Sequence, residues 1–394
     1  MRSQCGVVSG SVWFRIKRLR YSFMKGMLFI LSAHFLCFSW PVYAQEDVLR
    51  LLIWEGYAPV KYVREFERQI EEKYGRRVRL DISYIEGPDD FYDPIRKKSV
   101  DLVILTHHYF KDERFNYIAA ELLLPIEARN LPNLQHVIPA LREADYLLSN
   151  GNTYGVPICQ GPYGLVYNTE KIERSPESWK IFWDSKYKGR YTLGGSEYLY
   201  NVIVTALAWN YPRDSINNYN ALNNQNFKDK LSELATNAHS FWIGQDTAAD
   251  LSGNSLAAAW GDSLSTLRKQ GEIWELAEPK EGTLSWIDNY AITWALADKP
   301  FLRKVAEEWI NRMLEPDYQI NYLVRELEQR PVTTNIEHKL TDAEKERLHI
   351  WNPNFFNENR IILLPTFSRR DRNGLKLLWE EAMQGRQVKT DKKP

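Results

Sequence analysis

Val48-Leu-Arg-Leu-Leu-Ile-Trp-Glu-Gly-Tyr-Ala-Pro59 opens with a short apolar strand, Val48 to Trp54, and closes on a proline that starts a helix. Apolar residues then recur at Val60, Val63, Phe66, Ile70 and Tyr74, close to helical spacing, until Gly75 ends the run. Val78, Leu80, Ile82 and Tyr84 alternate as a strand does. A polar helix around Tyr92 to Lys98 leads to Asp101-Leu-Val-Ile-Leu105, an unbroken apolar run typical of a strand covered on both faces. This βαβαβ order predicts an α/β fold with a doubly wound sheet, whose ligands sit at the carboxyl ends of strands. Those ends are Trp54-Glu55-Gly56-Tyr57 and Thr106-His107-His108-Tyr109, where aromatic and polar residues collect.

Further along, a second unit follows Tyr154-Gly-Val-Pro157. Strand-like Gly164 to Tyr167 precedes Ser178-Trp179 and the turn Tyr187-Lys-Gly189. A strand near Tyr191, a helix from Tyr198 to Trp209, and a polar helix from Asn226 to Ala238 come next. Leu256-Ala-Ala-Ala-Trp260 reads as a strand ending in Gly261-Asp262-Ser263. Pro279-Lys-Glu-Gly-Thr-Leu-Ser-Trp-Ile-Asp-Asn-Tyr-Ala-Ile292 is extended, and residues two apart in a strand share a face, so Trp286 and Asp288 project together. An indole beside a carboxylate suits an organic cation, since the ring face attracts the charge and the acid pairs with it. A core Trp next to a surface Asp is the plain alternative. The repeat of the spacing at Trp260 and Asp262 weighs against it. Helices from Phe301 to Leu314 and from Gly374 to Met383 flank a Gln329-Arg330-Pro331 turn.

The first 44 residues hold six basic residues and no acidic one, then an apolar run from Met27 to Trp40 and Val42-Tyr-Ala44. That pattern predicts a secretory signal cleaved after Ala44, with Met1 or Met24 as the start, and a periplasmic product without stable membrane insertion. Loss of those six from 51 basic residues leaves 45 against 51 acidic, a net of −6. Such a balance argues against nucleic acid, which needs basic surface, and favours small cations. Cys5 and Cys37 leave with the signal, so Cys159 stands alone and is expected to be a packed thiol. The mature chain is long enough for two lobes.

Six segments carry a family resemblance: Leu52 to Pro59, Asp101-Leu-Val103, Gly155-Val-Pro157, Ser178-Trp179 with Tyr187-Lys-Gly189, Trp260-Gly-Asp262, and Pro279 to Gly282 with Trp286-Ile-Asp288. In this order they resemble the periplasmic spermidine/putrescine-binding proteins, from about residue 48 to 340. The resemblance implies a two-lobed periplasmic-binding-protein fold of type II, each lobe a doubly wound sheet, with the ligand in the cleft. It places lobe 1 at 45–160 plus 287–340 and lobe 2 at 161–286 plus 341–385, while the Lys/Asp/Pro composition after Gly385 predicts a disordered tail at 386–394. Crossovers fall near Gln160 to Tyr163, near Trp286 and near the Gln329 turn. Carried over by position, the site residues are Trp54, Tyr57, Thr106, His108, Glu197, Trp260, Asp262, Trp286, Asp288 and Arg330, with Glu55 added as an acid at a strand end. Arg330 stands where the family has an aromatic, and would repel a cation or pair with a ligand carboxylate. An unmodified polyamine or an amine bearing an acid group are thus both open.

No His-Glu-x-x-His, nucleophile elbow or P-loop is present, and no catalytic residue, cofactor or metal is expected. Adjacent His107 and His108 would face opposite ways on a strand and make a poor joint metal site. Paired acids in an aromatic cleft also occur in glycosidases, which leaves a secreted glycoside hydrolase as the enzyme alternative. Expected partners are the cationic ligand and either an ABC permease or a membrane signalling receptor, with the protein a monomer.

Overall fold

A computed structural model describes residues 46–347 and 361–390, so the expected export signal lies outside the described residues. In chain order the elements that build the site are β1 (Asp47–Ile53), α1 (Val60–Tyr74), β2 (Val78–Tyr84), β3 (Leu102–Thr106) and β4 (Val156–Asn168). Then follow β5 (Tyr191–Gly194), α2 (Tyr198–Ala208), α3 (Gln225–Asn237), β6 (Ser240–Trp242) and β7 (Leu256–Ala259). The last are β8 (Thr283–Thr293), α4 (Pro300–Met313), a π-helical turn Tyr318–Val324, β9 (Ile361–Leu363) and α5 (Arg369–Thr390). Among the described residues no helix is long and apolar enough to cross a membrane.

The architecture is the two-lobed α/β fold. One hydrogen-bonded path runs β2-β1-β3-β8-β4-β7-β5-β6. Its two ends are parallel, β1 with β2 and β3, and β5 with β6 and β7, as βαβ units require. The middle is antiparallel, where β8 pairs with β3 on one side and β4 on the other. Each end has its own apolar core. The first gathers Leu49, Phe66, Leu102, Val103 and Trp309. The second gathers Tyr191, Val202, Leu231 and Leu256. Along α1 the buried residues are Tyr62, Phe66 and Ile70, four apart on one face; Phe66 and Ile70 belong to the stripe read from the sequence, whereas Tyr62 does not and Val60 is exposed.

β4 and β8 pass from one core to the other. Cys159 belongs to the first core and Tyr163 to the second; on β8 the change falls between Leu284 and Trp286. A third strand of chain joins them, because Gln160 and Arg330 exchange backbone hydrogen bonds at 3.0 and 3.2 Å. This crossing is tight. A Cβ on Gly161 would stand 2.2 Å from Gln329 Oε1 and 2.5 Å from Trp286 Cζ2. Gly161→Ala is expected to cost about 1–3 kcal/mol, the usual range for overpacking. A thermal melt should show a clear drop for it and almost none for Gly87→Ala, whose added Cβ meets only Ser196 at 3.6 Å.

The C-terminus corrects one expectation. Residues after Gly385 do not all leave the fold as a disordered tail, since α5 runs on to Thr390. Arg386 donates to the carbonyls of Ala235, Ala238 and His239 at 3.3, 2.9 and 2.9 Å. The last carbonyls of a helix have no intrahelical partner and attract a cation. Composition showed a charged segment; the end of α3 gives that charge a seat.

Candidate functional site

Between the two cores lies a narrow cavity lined from both lobes. Eight of the residues singled out from sequence line it: Trp54, Tyr57, Thr106, Glu197, Trp260, Asp262, Trp286 and Asp288. Tyr109, Tyr200 and Gln245 complete the wall. None of these side chains is basic.

Asp288 sits where β8 pairs with the end of β3, opposite Thr106. Its carboxylate accepts from Thr106 Oγ1 at 2.7 Å and from Tyr57 OH at 3.0 Å. Burial pushes this carboxyl up to about 6, although both hydrogen bonds favour its charged form. Gly56 lets the β1 loop turn at a φ of 95°, and the phenols of Tyr318 and Tyr322 hold the carbonyls of Tyr57 and Gly56 from behind. The phenol of Tyr57 is thereby aimed at Asp288. Cys159 is a buried thiol behind this pair, raised by burial and then by the charge of Asp288.

Across the cavity, Asp246 accepts from the backbone N–H of Trp260 at 2.7 Å and from Ser263 Oγ at 2.6 Å. This fixes the loop that carries Trp260 and Asp262. Asp262 accepts from the amide of Gln329, and burial, then repulsion from Asp246, raises its carboxyl well above the ordinary value. The ring of Trp260 meets Trp286 edge-on at 6.1 Å and Tyr200 at 5.1 Å. Trp286 Nε1 is tied to the Pro162 carbonyl at 3.1 Å, which leaves its ring turned inward. Glu197 stands at the N-cap of α2; burial, reinforced by the charge of Asp288, pushes its carboxyl up to about 8. Its Oε1 is buried with no partner among the described residues. A cavity of indoles and buried carboxyls is chemically suited to protonated amines.

Three expected site residues lie elsewhere. Glu55 is exposed, one residue past Trp54 on the outside of the turn. His108 is buried against Tyr109, with ring centroids 4.1 Å apart, and burial holds it well below the ordinary histidine value, so it stays neutral. The reason is local: His107–Tyr109 is a 3-10 turn, not strand. At three residues per turn, Tyr109 rather than His108 returns to the face of Thr106. Arg330 lines a different cavity, with Arg268, Trp274 and Glu328. It follows Gln329 on a bridge whose successive side chains face opposite ways, so Gln329 meets Asp262 and Arg330 points away. His107 is structural: its Nε2 lies 3.0 Å from the Leu364 carbonyl and its Nδ1 accepts from the Ile287 N–H at 3.3 Å.

The chain is similar in sequence and in shape to known binding proteins. A spermidine/putrescine-binding periplasmic protein of Haemophilus influenzae is 22% identical over 256 residues, 63% of this chain and 66% of that protein. Its counterpart in Salmonella typhimurium is 21% identical over 280 residues, 70% and 74% of the two chains. The solved structure of a Listeria monocytogenes protein, assigned as a spermidine/putrescine ABC transporter, superposes with a TM-score of 0.71 at 17% identity, covering 85% of this chain and 98% of that one. The model of the bacterial extracellular solute-binding protein family matches residues 97–359, and the chain belongs to that family.

Proposed function

We propose that the protein is a periplasmic polyamine-binding protein that closes on a spermidine- or putrescine-like cation and presents it to an ABC importer. One observation carries the reading: a cavity between the lobes whose wall has three indoles and three carboxyls and no cation. A flexible dication of alkyl chain and ammonium ends matches such a wall, the chain against the rings and the ends at the acids. The relatives named for spermidine and putrescine point the same way. Arg330 outside the cavity weighs against an amine bearing an acid group, because a ligand carboxylate would meet three carboxyls and no cation there.

Calorimetry of the mature protein with spermidine, putrescine and an acid-bearing amine tests the ligand class. Micromolar or tighter binding of one of the first two is expected, with the acid-bearing amine at least tenfold weaker. Tight binding of the acid-bearing amine alone would overturn the assignment. Arg330→Gln should leave polyamine affinity within a few-fold of the parent.

A further inference from the structure

The last helix belongs to one lobe by its apolar face and reaches the other by its charges. Leu375, Leu378 and Trp379 of α5 pack in the second core. Arg372, on the same helix, places Nε 2.7 Å from Asp112 Oδ2 in the first lobe, and both side chains are fully buried. One turn further, Lys376 Nζ is 2.8 Å from Asp89 Oδ2, whose other oxygen is 3.0 Å from Arg114 Nη1. Ahead of the helix, the Phe367 carbonyl accepts from the Glu113 N–H at 3.3 Å, and the Glu113 carboxylate accepts from the Arg369 N–H at 3.1 Å. These contacts form a row. It begins beside β9, which pairs with β8 at the crossing, and continues outward along α5.

We propose that α5 is a latch that biases the two lobes toward the closed form, with the Arg372–Asp112 pair as its pin. Neither residue of the pair lines the cavity. The guanidinium also lies 5.4 Å from the Tyr109 ring, 5.1 Å from Phe115 and 5.5 Å from Phe367, so rings flank it from both sides of the interface. Tyr109 is itself part of the cavity wall, and the latch and the site share that ring. Removing one partner of a buried pair leaves the other charge uncompensated in the closed form, whereas opening lets water reach it. Loss of the pin therefore favours the open form. Since apparent affinity scales with the fraction of molecules that are binding-competent, the latch also sets how tightly any ligand is held.

The test uses ligand-free protein, spin-labelled at exposed positions in the two lobes through Glu71→Cys and Lys188→Cys; Cys159 is buried and out of reach of the label. Double electron–electron resonance should give a substantial short-distance population with the latch intact, which spermidine then makes dominant. Arg372→Met should add a longer population. Lys376→Met, which removes a partly exposed charge and should fold normally, should add a smaller one of the same length. Spermidine affinity should fall about tenfold for Arg372→Met, chiefly through faster dissociation. A melting temperature lowered in either variant with the ligand-free distance distribution unchanged would mean that the pair is merely structural, and the latch would be wrong. That readout stands even if the cavity proves to bind no polyamine.

Discussion

Asp288→Asn should weaken binding of the proposed cationic ligand by about ten- to a hundredfold. A hydrogen bond to a charged group is worth roughly 1.5–3 kcal/mol, and every 1.4 kcal/mol is tenfold. The buried ammonium would also lose the acid that Thr106 and Tyr57 hold in place for it. The same substitution should not destabilise the ligand-free protein. It deletes a carboxyl that burial has already pushed up to about 6, so the ionised side chain is a burden to the empty fold at neutral pH. Calorimetry and thermal melts of parent and variant separate the two effects. Lost affinity accompanied by an equal loss of ligand-free stability would reduce Asp288 to a structural residue.

Binding should also strengthen steeply with pH. Burial pushes Asp288 up to about 6 and Glu197 up to about 8, against ordinary values of 3.8 and 4.5. Alkyl ammonium groups keep their protons across this range, as lysine does up to about 10.4. The cation therefore competes with protons on the two carboxyls. Below each pKa, affinity should fall by about tenfold per pH unit per group, and binding near pH 7 should release a proton, chiefly from Glu197. The ligand-free protein should respond with the opposite sign. Both folded pKa values lie above the unfolded ones, so their stabilising contribution is complete below about pH 4. It is lost as pH rises through 6 and then 8, by about 1.4 kcal/mol per unit for each group within its window. Calorimetry in buffers of different ionisation enthalpy measures the proton release, and melts across pH 5–9 measure the stability. Affinity flat from pH 5.5 to 8.5 without proton release would show that neither carboxyl takes the ligand's charge.

The fold and two thirds of the site were legible in the sequence because both rest on local periods. The βαβαβ order follows from alternation and helical stripes, and a period needs no knowledge of distant neighbours. Trp286 with Asp288, and Trp260 with Asp262, are two-residue spacings whose meaning survives wherever the chain goes. The residues that sequence missed or misplaced sit where the period changes or the two lobes meet. Thr106 leads out of a strand into a 3-10 turn, so the next residue on its face is Tyr109 rather than His108. Glu197 begins a helix, and its companion in the wall is Tyr200, three residues on, as helical geometry dictates. Gln245 reaches the cavity from the second lobe beside Gly56 of the first, a contact that exists only when the lobes are closed together. Gln329 rather than Arg330 faces Asp262 because a backbone bridge to Gln160 sets their alternation. Sequence determined which elements form and which pairs of side chains travel together. The tertiary structure decided which faces meet, since facing is set by pairing partners and lobe contacts far apart in the chain, and by the burial that raises the carboxyls once they are there.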